Sequence, residues 1–250
     1  MKKGLLILLI LIVIVFGGSY FALNTGTAVD VDWTSEDFNS GITKSSVAIN
    51  EIQEINLVTL ASNNFTTSGT NSIDASFTNS EMSALIDMAN ADGGPISDFK
   101  VSFNGNNEGE LSFKLTDTFV KFIQDQNMVQ NSSSKFAWLS YFPTASTNSI
   151  SDTVIKFITN TAANKPVYAK GTLSRTTENS VSIHIESLKV GQITMGQDVV
   201  SKVENEVLRF VNNLLVSTNG FTIEELRVED GALYYKGTLP AEIQGTKISN

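Results

Sequence analysis

The chain holds one histidine, His184, and no cysteine, so groups able to move a proton or attack near neutral pH are scarce. His184 stands between Ser182 and Glu186 on the polar side of an alternating, strand-like stretch. A Ser-His-Asp relay would need this histidine, and no Gly-x-Ser-x-Gly elbow accompanies it. A solvent-facing strand histidine is the expectation. One histidine leaves carboxylates as the remaining metal ligands, a set suited to Ca²⁺ or Mg²⁺. Asp30 and Asp32 are spaced like the start of a calcium loop but lack its later acidic ligands and glycine, so they read as a solvated stalk. Glu204 and Glu206 would point to different sides of a helix, and Glu224 and Glu225 to opposite faces of a strand. Neither pair makes the facing carboxylates of a glycosidase. Asp92-Gly93-Gly94-Pro95 has no following Lys-Ser/Thr, and no Gly-Lys sequence joins Gly191 to Gly196, so no phosphate-cradling loop is present. The reading is a non-enzyme with no catalytic residue, no metal site and no cofactor.

What the chain has in abundance is apolar surface, and its first use is at the start. Met1-Lys2-Lys3 precedes an uncharged, apolar stretch at 4–23, whose 20 residues match a bilayer's hydrocarbon thickness as a helix. The two lysines place the N-terminus in the cytoplasm and the rest outside. A cleaved signal peptide is the alternative, but Tyr20 and Phe21 continue the apolar run past Gly17-Gly18-Ser19. The expected organisation is a transmembrane anchor at 1–23, a stalk and short helix at 24–46, and an extracytoplasmic domain at 47–250. The absence of cysteine excludes disulfides, thiolate metal sites and lipoprotein attachment. Removing Lys2 and Lys3 takes the formal charge from −9 to −11, which argues against nucleic acid as a partner.

The fold class is α+β: a mostly antiparallel sheet packed on two long amphipathic helices, with a helix–hairpin order occurring twice. The first unit, 77–115, opens with Thr78 and Glu81 as a capping box and with Phe77 and Met82 as a hydrophobic staple. Met82, Leu85, Ile86 and Ala89 form its helical stripe. Phe99, Val101 and Phe103, then Leu111, Phe113 and Leu115, alternate around a turn at 104–109. The second unit, 198–240, carries the stripe Val199, Val203, Val207, Phe210, Val211 and Leu214, with Asn219-Gly220 as a left-handed cap. Its hairpin turns at Asp230-Gly231. Elsewhere, Ser35 is expected to N-cap a helix at 33–44, 47–60 to hold a strand, 62–72 to be a loop, and the residues after Pro240 to form a polar tail. Short helices at 117–127 and 151–163 flank an aromatic strand at 136–142. A further hairpin, 167–175 with 181–188, buries Val181, Ile183 and Ile185.

Over 181–240 the order of elements resembles the YpmS-type family of exported, N-terminally anchored proteins of Gram-positive bacteria. More remotely it resembles TULIP-like lipid-binding domains, in which a helix lies in a long antiparallel sheet. The residues concerned are 183–188 with Lys189-Val190-Gly191-Gln192-Ile193-Thr194-Met195, the helix from Asp198, Phe221-Thr222-Ile223-Glu224-Glu225-Leu226-Arg227-Val228, Asp230-Gly231, and Lys236-Gly237-Thr238-Leu239-Pro240. The helix opening at 77–86 is similar to the first helix of such proteins. Met195-Gly196 departs from the Leu-Pro pair expected there. The resemblance implies apolar-ligand binding or assembly at the envelope and carries no catalytic residue across. Core packing is the plain use of both stripes. The sharper alternative is a groove for a lipid or other apolar envelope ligand, lined by Val203, Val207, Phe210, Val211, Leu214, Met82 and Leu85. A ligand-free scaffold contacting another envelope protein is the second reading, and an envelope hydrolase is a lesser third.

Overall fold

Three helices occur among the described residues, and side chains cap the N-termini of the first two. In a computed structural model that describes residues 27–50, 65–89, 96–117 and 165–245, α1 spans Ser35–Ser45, α2 Asn79–Ala89 and α3 Gln197–Ser217. The cap of α1 is Thr34, one residue before the expected Ser35. Its hydroxyl accepts the Asp37 N–H at 3.3 Å, and the Asp37 carboxylate accepts the Thr34 N–H at 2.8 Å. The Thr78–Glu81 box on α2 is present as expected, with bonds of 3.2 and 2.9 Å, and Phe77 and Met82 are fully buried beside it. The helices are unequal. α3 has 21 residues and α2 only 11, so one helix is long where two were expected. The body of α2 is enclosed on more than one side, since Glu81, Met82, Ser83, Ala84, Leu85 and Ile86 are all buried.

The described residues hold eleven strands, and the longer ones largely alternate buried and inner positions with exposed ones. They are β1 Ala48–Asn50, β2 Phe65–Ser68, β3 Asn71–Thr78, β4 Ile96–Gly105, β5 Glu108–Leu115, β6 Pro166–Thr177, β7 Ser180–Val190, β8 Ile193–Thr194, β9 Thr222–Glu229, β10 Ala232–Leu239 and β11 Glu242–Gly245. They form a five-stranded sheet β4-β5-β6-β7-β8, a three-stranded sheet β3-β10-β9 and a small sheet β1-β11-β2. All pairings are antiparallel except β1 with β11. The two larger sheets meet at a seam where hairpin tips dock on the edge of β9. Asn107 exchanges two bonds with Val228, donating its own N–H at 3.2 Å and accepting the Val228 N–H on its side-chain oxygen at 3.2 Å. Farther along, the Ile223 N–H donates to the Glu178 carbonyl at 2.6 Å and Arg175 Nε to the Ile223 carbonyl at 2.7 Å.

Several expectations give way here. The loop expected at 62–72 contains β2 and the start of β3, because Phe65 and Ile73 have core positions to fill. The polar tail after Pro240 is β11, the middle strand of its sheet, with Ile243 fully buried. The stalk is docked: Val29 is buried and its N–H donates to Ser112 Oγ at 2.9 Å. The hairpin turn of the first unit narrows to Asn106-Asn107, both with positive φ, the conformation of a tight two-residue turn. The helix cap at Asn219-Gly220 moves to Thr218, while Gly220 supplies the positive φ of the turn beyond it. No helix among the described residues is long and apolar enough to cross a membrane. The span at 4–23, most of the 47–60 strand and the elements expected at 117–127, 136–142 and 151–163 lie outside the described residues.

One continuous apolar core joins the elements, from Phe38 and Ile42 on α1 to Ile243 on β11. Each Val, Leu, Ile or Phe enclosed in it contributes roughly 1.5–3 kcal/mol from removal of apolar surface from water. Helices α1 and α2 approach closely at Gly41, where a Cβ would come within 2.6 Å of Leu85 Cδ1.

Candidate functional site

Two sheet edges organise the polar chemistry of the described residues. An edge strand presents every second N–H outward, and such groups cost free energy if buried without an acceptor. Along β4 these are the amides of Phe99, Val101 and Phe103. Helix α2 answers each with a side-chain oxygen: Asp87 Oδ1 at 3.1 Å, Ser83 Oγ at 3.0 Å and Asn79 Oδ1 at 2.9 Å. The match is metric. Four residues of helix rise about 6 Å, and two residues of strand about 6.7 Å. Acceptors at i, i+4 and i+8 therefore fall beside alternate strand amides.

Helix α3 treats β7 in the same way with two rungs. Glu204 Oε2 accepts the Ile185 N–H at 2.7 Å. Asn212 accepts the Val181 N–H at 2.9 Å and returns a bond to the Val181 carbonyl at 3.1 Å. The middle position of this i, i+4, i+8 series is Leu208, which packs on the core. Helix α1 covers a third edge. Lys44 Nζ donates to the Ser76 carbonyl of β3 at 2.8 Å, and Asn71 on β3 donates to the Ser46 carbonyl at the end of α1.

Lys44 also reaches Glu81 at 2.7 Å. Burial on its own would raise the Glu81 pKa, but the hydrogen bonds from Lys44, from Ser40 at 2.5 Å and from the Thr78 amide outweigh it and hold the carboxyl below its ordinary 4.5. Asp87 goes the other way. Its partial burial raises the pKa above 3.8, and the nearby Asp98 adds to this against the Phe99 amide.

The candidate catalytic groups are occupied structurally. His184 is exposed, and its Nδ1 lies 3.0 Å from Glu204, the same carboxylate that holds Ile185. Glu204 was expected on a solvated face, and instead it fastens α3 to the sheet. The two glutamates of β9 do not alternate. A bulge opposite Lys236 and Gly237 leaves both outside, Glu225 paired with Arg227 and Glu224 4.0 Å from Lys236. Asp32 is solvated as expected, its side chain 99% exposed, and it lies 3.4 Å from Lys100 Nζ. No group of three or more metal-ligating side chains occurs among the described residues. The buried hydroxyls are spoken for by backbone. Ser45 donates to the Ile42 carbonyl, Ser83 to the Asn79 carbonyl and Thr218 to the Leu214 carbonyl, while Ser112 accepts from Val29.

The seven apolar lining residues divide into two groups. Val203, Val207, Val211 and Leu214 share the face of α3 that enters the core, joined by Val200 and Leu215, which the stripe omitted. Met82 and Leu85 sit on α2, which packs on β4 and α1, whereas α3 packs on β7. The side chain of Phe210 lies outside the described ones. No family model matches the chain, and neither does any curated protein or solved structure.

The rungs themselves were absent from the sequence reading. Their signal was there: Asn79, Ser83 and Asp87 at steps of four, beside an apolar stripe.

Proposed function

We propose that the chain is a membrane-anchored, extracytoplasmic, non-catalytic module of the cell envelope that accepts a lipid or other apolar chain between α3 and the sheet. The anchor is 4–23, with the N-terminus in the cytoplasm. The observation that carries the reading is the division of labour along α3. Its polar contacts to β7 lie on one flank, at Glu204 and Asn212, and leave a separate apolar face of Val200, Val203, Val207, Val211 and Leu214. An apolar chain could replace side-chain contacts on that face while the two rungs still hold the helix. The resemblance of 181–240 to YpmS-type and TULIP-like proteins supports the same reading. So does the commitment of the buried hydroxyls and the Glu81 carboxylate among the described residues to backbone and ion-pair partners.

The test uses the full chain in detergent, with a photoreactive fatty-acyl probe and native mass spectrometry. Bound lipid and labelling of 197–217 are expected. Absence of both would sink the ligand and leave the second reading, a ligand-free scaffold that contacts an envelope protein. One observation favours that alternative: the described stripe residues of α3 are already enclosed, none more than 7% exposed apart from the half-buried Val199.

A further inference from the structure

The first described residues are not a loose leader. Val29 is fastened to Ser112 on β5, Ser80 donates to the Asp32 carbonyl at 3.0 Å, and Thr34 begins α1. Six residue steps separate Val29 from Leu23, the end of the apolar stretch, a reach of at most about 20 Å. The body is thus tethered short, and the tether meets it near one end of the five-stranded sheet. That end is defined by register: Ile96 faces Leu115, Lys114 faces Pro166, Val167 faces Val190, and Val190 faces Ile193.

A second, independent feature marks the same end. Among the described residues three large apolar side chains are exposed, and two of them are here. Ile193 on β8 is 45% exposed. Met88, 42% exposed, follows Asp87, whose bond to Phe99 sets that end of α2 beside the start of β4. Lys114, Lys100 and Lys189 also stand here; Asp98 and Asp32 pair with the first two, and Lys189 lies over the Tyr168 ring. The opposite end holds the β6–β7 tip at Glu178, with β6 running about 30 Å from Tyr168 to Thr177.

We infer that the end of the central sheet bearing Met88, Ile193 and the β7–β8 turn lies against the bilayer surface, with the β6–β7 tip pointing away. The orientation rests on the proposed anchor at 4–23. It places the N-terminal half of α3, which starts beside β8, on the membrane side.

Because the chain has no thiol of its own, single cysteines can report position. Gln192→Cys and Glu178→Cys, each on the full chain and labelled with a small fluorophore, are reconstituted into phosphatidylcholine vesicles with and without acyl-brominated lipid. Quenching at 192 several-fold stronger than at 178 is expected. Equal or reversed quenching in chains that float with the vesicles overturns the orientation alone. Failure to float overturns the anchor and the orientation with it.

Discussion

Helices α2 and α3 do the same job on opposite sides of the central sheet, and they do it unequally. On β4, three consecutive outward amides are answered by three acceptors of α2, and Lys44, Ser40 and Glu81 then bind that helix to α1. On β7, two amides are answered, and Leu208 replaces the middle acceptor with apolar contact. One edge is sealed mainly by hydrogen bonds over a short helix. The other is held by two rungs and a long apolar face. The difference concentrates the apolar capacity on α3, which is why the proposed ligand surface is there. It also alters what the repeated helix–hairpin order means. In the first unit the helix packs on the hairpin that follows it, while α3 packs on β7, part of the hairpin before it.

The contrast predicts where each side breaks. The largest effect is expected from Val211→Asp, which puts an unpaired charge at a fully buried point of the α3 face. Denaturant titration should show a loss of at least about 4 kcal/mol. A loss under about 1 kcal/mol would mean that the α3 face is not core.

Glu81→Ala comes next, at about 2–3 kcal/mol, because it removes a buried carboxylate that binds the half-buried Lys44, Ser40 and the Thr78 amide. The pH dependence has a definite sign. Since the folded pKa is below 4.5, the contribution of Glu81 is full above the unfolded carboxylate range and disappears as pH falls through the folded value. The acid limb of a pH–stability curve should therefore flatten in the variant.

Ser83→Ala and Asn212→Ala compare the two edges directly. Ser83 is buried, so its loss leaves the Val101 amide without water and should cost about 2 kcal/mol. Asn212 is half-buried, so water can replace part of its bonds, and about 1 kcal/mol is expected. Hydrogen exchange should quicken at Val101 in the first variant and at Val181 in the second. Unaffected amides would break the rung assignment.

Asp87→Asn is the smallest change. It keeps an acceptor for Phe99 but removes a charge that burial disfavours. A folded pKa above the unfolded one contributes stability below the unfolded pKa that is lost as pH rises through the folded value. The variant should thus be slightly more stable than the parent at neutral pH and equal to it in acid, read by thermal melts.

Much of the fold was legible locally. The Thr78–Glu81 box, the Phe99-Val101-Phe103 and Val181-Ile183-Ile185 alternations and the Asp230-Gly231 turn each depend on residues a few positions apart, and all four are present. Ile243 and Phe65 failed the same reading because their segments are short and polar in composition. They become strands only by long-range pairing, β2 with β11 and β11 also with β1, across separations such as the 174 positions from Ser68 to Glu242. The stalk failed likewise, since nothing near Val29 announces Ser112.

The sequence by itself determined the Thr78–Glu81 cap, the Asp230-Gly231 turn, the alternations of β4 and β7, the poverty of catalytic groups and the apolar stripe of α3. Side-chain size, backbone preference and hydrophobic period act over one or two turns, within reach of inspection. Only the tertiary structure decided that Asn79, Ser83, Asp87, Glu204 and Asn212 serve sheet edges. A short polar side chain on a helix is equally content in water or on a strand amide, and which it meets depends on the strand brought beside it.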